Sequence, residues 1–342
     1  MTEAARLDMD APLPWLVDQW SRLSSARQSG RLSHALLVSG PPGVGKRHLA
    51  ELLAHSLLCH DPRPNAVACG RCADCRLLKG DNHPDLVRVG PDPEAKSEEI
   101  PIAAVRALVE RGALTPGRGA WKVSLIDPAD HLNAAAANAL LKTLEEPSGN
   151  ALICLITEHA GRLPATVRSR CQQVCVPIPT LEQSVSWLAG KLPDADIGLR
   201  LRLAHGAPLR ALSELDEHLL LQRRDRLAGF LAIARGDRDP VTEAAAWNGL
   251  GPRLCLDWLA TWLVDLVRLN VAEDPAWLDN PDQRDAFRAL ARRIDPTAAH
   301  RLLQRVLHAR GSAESRINTQ LMFESLSIEW ARVTAIHGAR RI

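Results

Sequence analysis

Three short runs of apolar residues lack alternation: His34-Ala-Leu-Leu-Val38, Lys122-Val-Ser-Leu-Ile-Asp127 and Ala151-Leu-Ile-Cys-Leu-Ile156. A strand covered on one face alternates apolar and polar positions, whereas a strand covered on both faces does not. The runs therefore predict parallel strands in a sheet sandwiched by helices. After the first, Leu49, Leu52, Leu53, Ser56 and Leu57 recur at helical spacing; after the second, Ala134 through Glu145 reads as a helix ended by Pro147. The third run finishes at Thr157, and a loop leads on to Val167-Arg-Ser-Arg-Cys171.

Beyond Pro177-Ile-Pro179 the texture changes to long amphipathic stretches. Leu220, Leu227, Phe230, Leu231 and Ala234 form one stripe, and Met322, Leu326, Trp330 and Val333 another. Between them Trp258, Trp262 and Leu266 repeat every fourth residue, the pattern of a helical bundle core. The pattern predicts an α/β domain over 1–177, a small helical lid over 178–214 and an all-α domain over 215–342. A chain of 342 residues is long enough for two or three domains with sizeable cores.

Charge adds a limit. Lys and Arg total 42 against 40 for Asp and Glu, a net charge of +2, so contact with nucleic acid would have to be a local patch. No stretch is long and apolar enough to span a bilayer, and MTEAARLDMDAP lacks the basic-then-apolar plan of a secretion signal, which points to a cytoplasmic chain.

The chemistry begins at Ser39-Gly-Pro-Pro-Gly-Val-Gly-Lys-Arg47, between the first strand and its helix. A phosphate-binding loop, G-x-x-x-x-G-K-[ST], is met at Gly40, Gly45 and Lys46, with Gly43 inside the turn. In such a loop backbone N–H groups cradle phosphates at a helix N-terminus, the lysine reaches the terminal ones, and a hydroxyl ligates Mg²⁺. Here the hydroxyl position holds Arg47, which has no acceptor atom and a fixed positive charge. The loop thus predicts the fold while leaving bound nucleotide undecided.

A second departure stands at the end of the second strand. Asp127 occupies the place from which such enzymes hold Mg²⁺, but the next residue, where a glutamate would orient the attacking water, is Pro128. Asp130 falls at the opening of the following helix and is expected to cap it. Two faults in one machinery, on metal binding and on water activation, argue against hydrolysis by this chain alone.

Eight cysteines are present, four of them grouped as Cys59, Cys69, Cys72 and Cys75 in the form C-x9-C-x2-C-x2-C. Three of these thiols lie on a tight turn with Gly70, and Cys59 sits at the end of the helix after the loop. Four convergent thiolates are what tetrahedral Zn²⁺ requires, and a closed sulfur shell makes a structural site. A redox C-x-x-C pair competes less well, because neither pair opens a strand–helix unit. His60 and His83 lie nearby, but four sulfurs complete the shell. Cys154, Cys171, Cys175 and Cys255 fall in apolar surroundings and read as packed thiols.

The sequence HALLVSGPPGVGK, the four-cysteine insert, Asn82-His-Pro-Asp85, NALLKTLEEP and Arg168-Ser-Arg-Cys171 together resemble the bacterial clamp-loader subunits of the AAA+ superfamily, over nearly the whole chain. The resemblance implies an AAA+ domain with a zinc module, a helical lid and a collar that joins subunits in a ring. It implies partnership with gamma/tau and delta subunits in a hetero-pentamer that places a sliding clamp on primed DNA. Arg170 would be the arginine that reaches the ATP and Mg²⁺ of a neighbouring subunit, where a planar cation stabilises charge on the transferring phosphoryl group. On residue chemistry alone it is an ordinary surface arginine. Thr157 falls at the position that senses the γ-phosphate, and Arg210 near a second sensor. Arg47 and Pro128 point away from the ATP-hydrolysing gamma/tau member, which stays open as an alternative, as does a zinc-dependent DNA-binding module without ATP linkage.

Overall fold

The structure is a computed structural model and describes residues 9–92, 98–113, 115–147, 149–213, 215–312 and 318–335. By contacts within the chain it divides into two compact units, Met1–Lys191 with Gly206–Ser213, and Leu192–His205 with Glu214–Ile342.

The first unit is built on a parallel sheet of β1 (Ala35–Ser39), β2 (Leu86–Val89), β3 (Lys122–Ile126), β4 (Ala151–Thr157) and β5 (Gln172–Cys175), in the order β2-β3-β4-β1-β5. Leu37 lies opposite Leu155, and Leu125 opposite Cys154. The three apolar runs are the three inner strands. Leu36 and Val38 of β1 pack on one face with Leu49, Leu52 and Leu53, while Ala35 and Leu37 pack on the other with Val105, Leu140 and Val167. Burial on both faces is the reason these runs do not alternate. The edge strands β2 and β5 are only partly buried.

Helices α1 (Val17–Gln28) and α2 (Lys46–Leu58) contribute to the first face, and α3 (Ala73–Lys79) follows α2. Helices α4 (Ile102–Ala113), α5 (Ala134–Glu145) and α6 (Ala165–Arg168) contribute to the second. Helix α5 matches its predicted bounds, but Asp130 does not cap it. Asn133 does, its Oδ1 accepting from the Ala136 N–H at 2.9 Å. Asp130 lies in a single 3₁₀ turn, Ala129–His131, and its carboxylate is turned toward β4 instead. A second correction concerns Cys175. It ends edge strand β5 and is exposed, whereas Cys154, Cys171 and Cys255 are buried as expected.

The segment 178–214 holds α7 (Leu181–Leu188), α8 (Asp194–Leu203) and α9 (Pro208–Ser213). Helices α7 and α9 belong to the first unit and α8 to the second. Thr180 and Gln183 form a reciprocal capping box at the start of α7.

The second unit continues with α10 (Glu217–Arg235), α11 (Pro240–Asn248), α12 (Pro252–Val271), α13 (Arg284–Ala291), α14 (Pro296–Ser312) and α15 (Thr319–Ala335). Phe230 stacks on Trp330 with ring centroids 4.1 Å apart, and the Trp330 indole N–H donates to the Phe230 carbonyl at 2.8 Å. Trp247, Trp258, Trp262, Leu266 and Phe287 complete one core. Inside it lies a polar knot that periodicity does not announce. The buried Asp265 carboxylate accepts from the backbone N–H groups of Asp279 at 2.9 Å and Asn280 at 2.7 Å, pinning the turn before α13 to α12. Arg223, buried in the stripe of α10, bonds the Asn280 side chain. No helix among the described residues is long and apolar enough to cross a membrane.

Candidate functional site

Strand β1 has β4 on one side and β5 on the other, so the chain leaving it turns at the point where connections diverge to either side of the sheet. Crevices at such points are where open α/β sheets place ligands. The carboxyl ends of β3, β4 and β1 bring Asp127, Thr157 and Lys46 to one edge. The loop from Gly40 to Gly45 is held from outside by the Trp15 indole, which donates to the Val44 carbonyl at 2.8 Å. Gly43 has a positive φ of 73°, and a Cβ there would lie 2.5 Å from the Cβ of Arg210. Only glycine allows α9 and the loop to approach this closely.

Each group expected to meet nucleotide or metal is engaged by the chain itself. Lys46 is buried; its Nζ donates to the Pro41 carbonyl at 2.7 Å and lies 3.8 Å from Glu158 Oε1. Burial lowers its pKa, against the opposing pull of Glu158, Asp127 and Asp130. Arg47 Nε donates to Asp127 Oδ2, so a guanidinium occupies the carboxylate that the sequence pattern offers to a metal ion. The Thr157 hydroxyl donates to Asp130 Oδ1 at 2.7 Å and is fully buried. Arg210 comes to the loop through its backbone and Cβ at Gly43. The sequence reading missed Glu158 and the true role of Asp130. Both follow strand ends by one to four residues, and that position was the available signal.

Arg170 stands apart from this group. It follows α6, and its side chain is 35% exposed. Its Nε donates to Glu145 Oε1 at 2.6 Å, and Nη1 donates to the Thr166 carbonyl at 2.9 Å.

The four grouped cysteines do converge. Their sulfurs all lie within 4.8 Å of one another, with Cys59–Cys72 at 4.0 Å, Cys69–Cys75 at 3.9 Å and Cys59–Cys75 at 3.6 Å. Tetrahedral zinc with bonds of about 2.3 Å sets its sulfurs about 3.8 Å apart, so the residues fit a metal ion such as zinc. Cys72 is the N-cap of α3, its sulfur accepting from the Cys75 N–H, and the Cys69 N–H donates to Cys59 Sγ at 3.2 Å. Backbone N–H groups of Arg71 and Cys72 pull the Cys69 thiol down to about 6. Burial pushes Cys171 up to about 11 and Cys255 up to about 12, the behaviour of inert packed thiols.

Asn82-His-Pro-Asp85 ties this module to the sheet. Asp85 accepts from the backbone N–H groups of Gly117 at 2.6 Å and Arg118 at 2.9 Å, and Arg118 Nε donates to Asp74 of α3 at 2.7 Å. His83 Nε2 lies 3.5 Å from the same Asp74 oxygen, so it faces α3 and not the sulfurs.

Comparison with known proteins identifies the family. Residues 16–179 match the family model described as DNA polymerase III, delta subunit, and residues 217–332 match its C-terminal counterpart. The DNA polymerase III subunit delta' of Pseudomonas aeruginosa is 34% identical over 93% of this chain and 97% of its own. That of Escherichia coli is 33% identical over 92% and 93%. The tau subunit of E. coli is 34% identical over 66% of this chain but 33% of its own. A DNA polymerase III gamma subunit-related protein from Thermotoga maritima shares the fold, with a TM-score of 0.51 over 91% of this chain and 99% of its own at 16% identity. The matches to delta' from two organisms, each at about one-third identity and spanning more than nine-tenths of both chains, place the chain: it belongs to the delta-prime family of DNA polymerase III subunits.

Proposed function

We propose that this clamp-loader subunit does not hydrolyse ATP itself and serves the ATP site of a neighbouring gamma/tau subunit through Arg170. The observation that carries the reading is the Arg47–Asp127 pair. A resident guanidinium takes the ligand that Mg²⁺ would need, and Pro128 replaces the carboxylate that would activate water. Lys46, turned toward Pro41 and Glu158, fits the same account. Gly40, Gly43, Gly45, Asp127, Thr157 and Arg210 then keep the shape of a nucleotide site without its use.

The assembly is a hetero-pentamer with gamma/tau and delta subunits that places a sliding clamp on primed DNA in the cytoplasm. The helical lid over 178–214 and the collar over 215–342 join this subunit to it. The four cysteines hold structural Zn²⁺: a closed four-sulfur shell leaves no open position for chemistry, and the ion would join the end of α2 to α3.

The test is reconstitution with gamma/tau and delta partners and measurement of DNA-stimulated ATPase. Arg170→Ala is expected to lower the rate by about 10³-fold. An unchanged rate would overturn the reading, and turnover by the purified chain alone would favour an active gamma/tau-type ATPase.

A further inference from the structure

An arginine that acts outside its own chain has to be aimed, and α5 carries a group able to aim it. Among the described residues around α6, Arg162 and Arg168 meet no carboxylate, whereas Arg170 does. Both its Nε, at 2.6 Å, and its Nη2 meet one oxygen, Oε1 of Glu145. Nη1 donates to the Thr166 carbonyl at 2.9 Å. A guanidinium has five N–H groups, and these contacts engage three. One hydrogen on Nη1 and one on Nη2 remain, a pair suited to two oxygens of a phosphoryl group.

Glu145 is well fixed for this task. It is the last residue of α5, a helix that buries Ala136, Ala137, Leu140 and Leu144 against the sheet. The Leu144 carbonyl is bonded at 2.8 Å by His34, the residue that enters β1. The following residue, Glu146, is already the C-cap with non-helical backbone. The backbone carrying Glu145 is therefore anchored to the same sheet that carries the glycine loop, while its side chain, half exposed, reaches out to Arg170.

We propose that Glu145 is the positioning residue for Arg170, holding the Nε edge of the guanidinium so that its outer hydrogens face the neighbouring subunit's phosphoryl group. The proposal rests on the trans-arginine reading above. Glu145 touches no reacting atom and acts through Arg170. Losing it leaves a long flexible side chain to find its geometry afresh in each cycle, a cost borne by the chemical step and not by ATP binding.

The experiment uses the reconstituted complex with Glu145→Ala, Glu145→Gln, Arg170→Ala and the double Arg170→Ala/Glu145→Ala chain, with melting curves confirming folding. Glu145→Ala is expected to lower kcat of the DNA-stimulated ATPase by about tenfold, with KM for ATP changed by less than about twofold. Glu145→Gln keeps an acceptor for Nε and is expected to stay within about threefold of wild type. The double variant should match Arg170→Ala alone, because the carboxylate has nothing left to position. A rate at or above wild type for Glu145→Ala overturns positioning, as does an additive loss in the double variant or a Gln variant as slow as Ala. If Arg170→Ala itself is silent, the trans-arginine reading fails and this proposal fails with it. A slow Arg170→Ala beside a normal Glu145→Ala sinks the positioning role alone.

Discussion

Arg47 and Asp127 are separated by 80 positions in the chain yet meet side chain to side chain. The carboxylate is 19% exposed and the guanidinium 61%, so the aspartate depends on its partner more than the arginine does. Arg47→Thr would free Asp127 and supply the missing hydroxyl. The expected result is Mg²⁺-dependent ATP binding at least about tenfold tighter than wild type by titration calorimetry, with no turnover, since Pro128 remains. Gly43 gives a second prediction at this scale. Gly43→Ala sets a Cβ against Arg210 at a positive φ and is expected to cost about 1–3 kcal/mol, read by urea unfolding.

At the scale of elements, the four-cysteine module is the most exposed to test. Cys69→Ser is expected to abolish stoichiometric zinc by elemental analysis and to lower the melting temperature, because α2 and α3 lose their shared anchor. In the helical unit, Asp265→Ala strands the N–H groups of Asp279 and Asn280 and is expected to cost about 3 kcal/mol or more; Asp265→Asn, which keeps an acceptor, should cost less. Helix α11 offers a pH test. Asp239 caps it, accepting from the Thr242 N–H at 2.8 Å, and this backbone bond, with the Thr242 hydroxyl, holds its carboxyl below the usual range. Such a group stabilises the fold above its unfolded pKa and ceases to as pH falls through its folded one. Asp239→Ala should therefore melt lower than wild type at neutral pH, the gap narrowing as acid carries the pH below the usual carboxylate range.

Inner strands were legible because burial on both faces leaves an apolar run, and α5 because Pro147 ends it. Edge strands were not: β2 and β5 are half-solvated, and their residues carry no run to read. For the same reason Cys175 was misjudged, its neighbours in sequence being apolar while its place at a sheet edge is open. Glycines, Lys46 and the four cysteines announced themselves by spacing. Glu145, Glu158, Asp265 and Arg223 did not, because their partners lie far along the chain and only folding brings them together.

For the whole molecule, the proposed division of labour predicts that the purified chain turns over ATP no faster than a buffer control, measured by phosphate release. The pair between Arg47 and Asp127 also bears on how such a division persists. Replacing Arg47 alone leaves a largely buried carboxylate without its cation. Restoring a carboxylate at position 128 alone places a second negative charge beside a pair already made. Neither single step recovers a working site, and the first carries a stability penalty. On the proposed reading, either change alone is expected to leave the chain inactive, so the ion pair acts as a lock that Arg47→Thr and Pro128→Glu would have to open together.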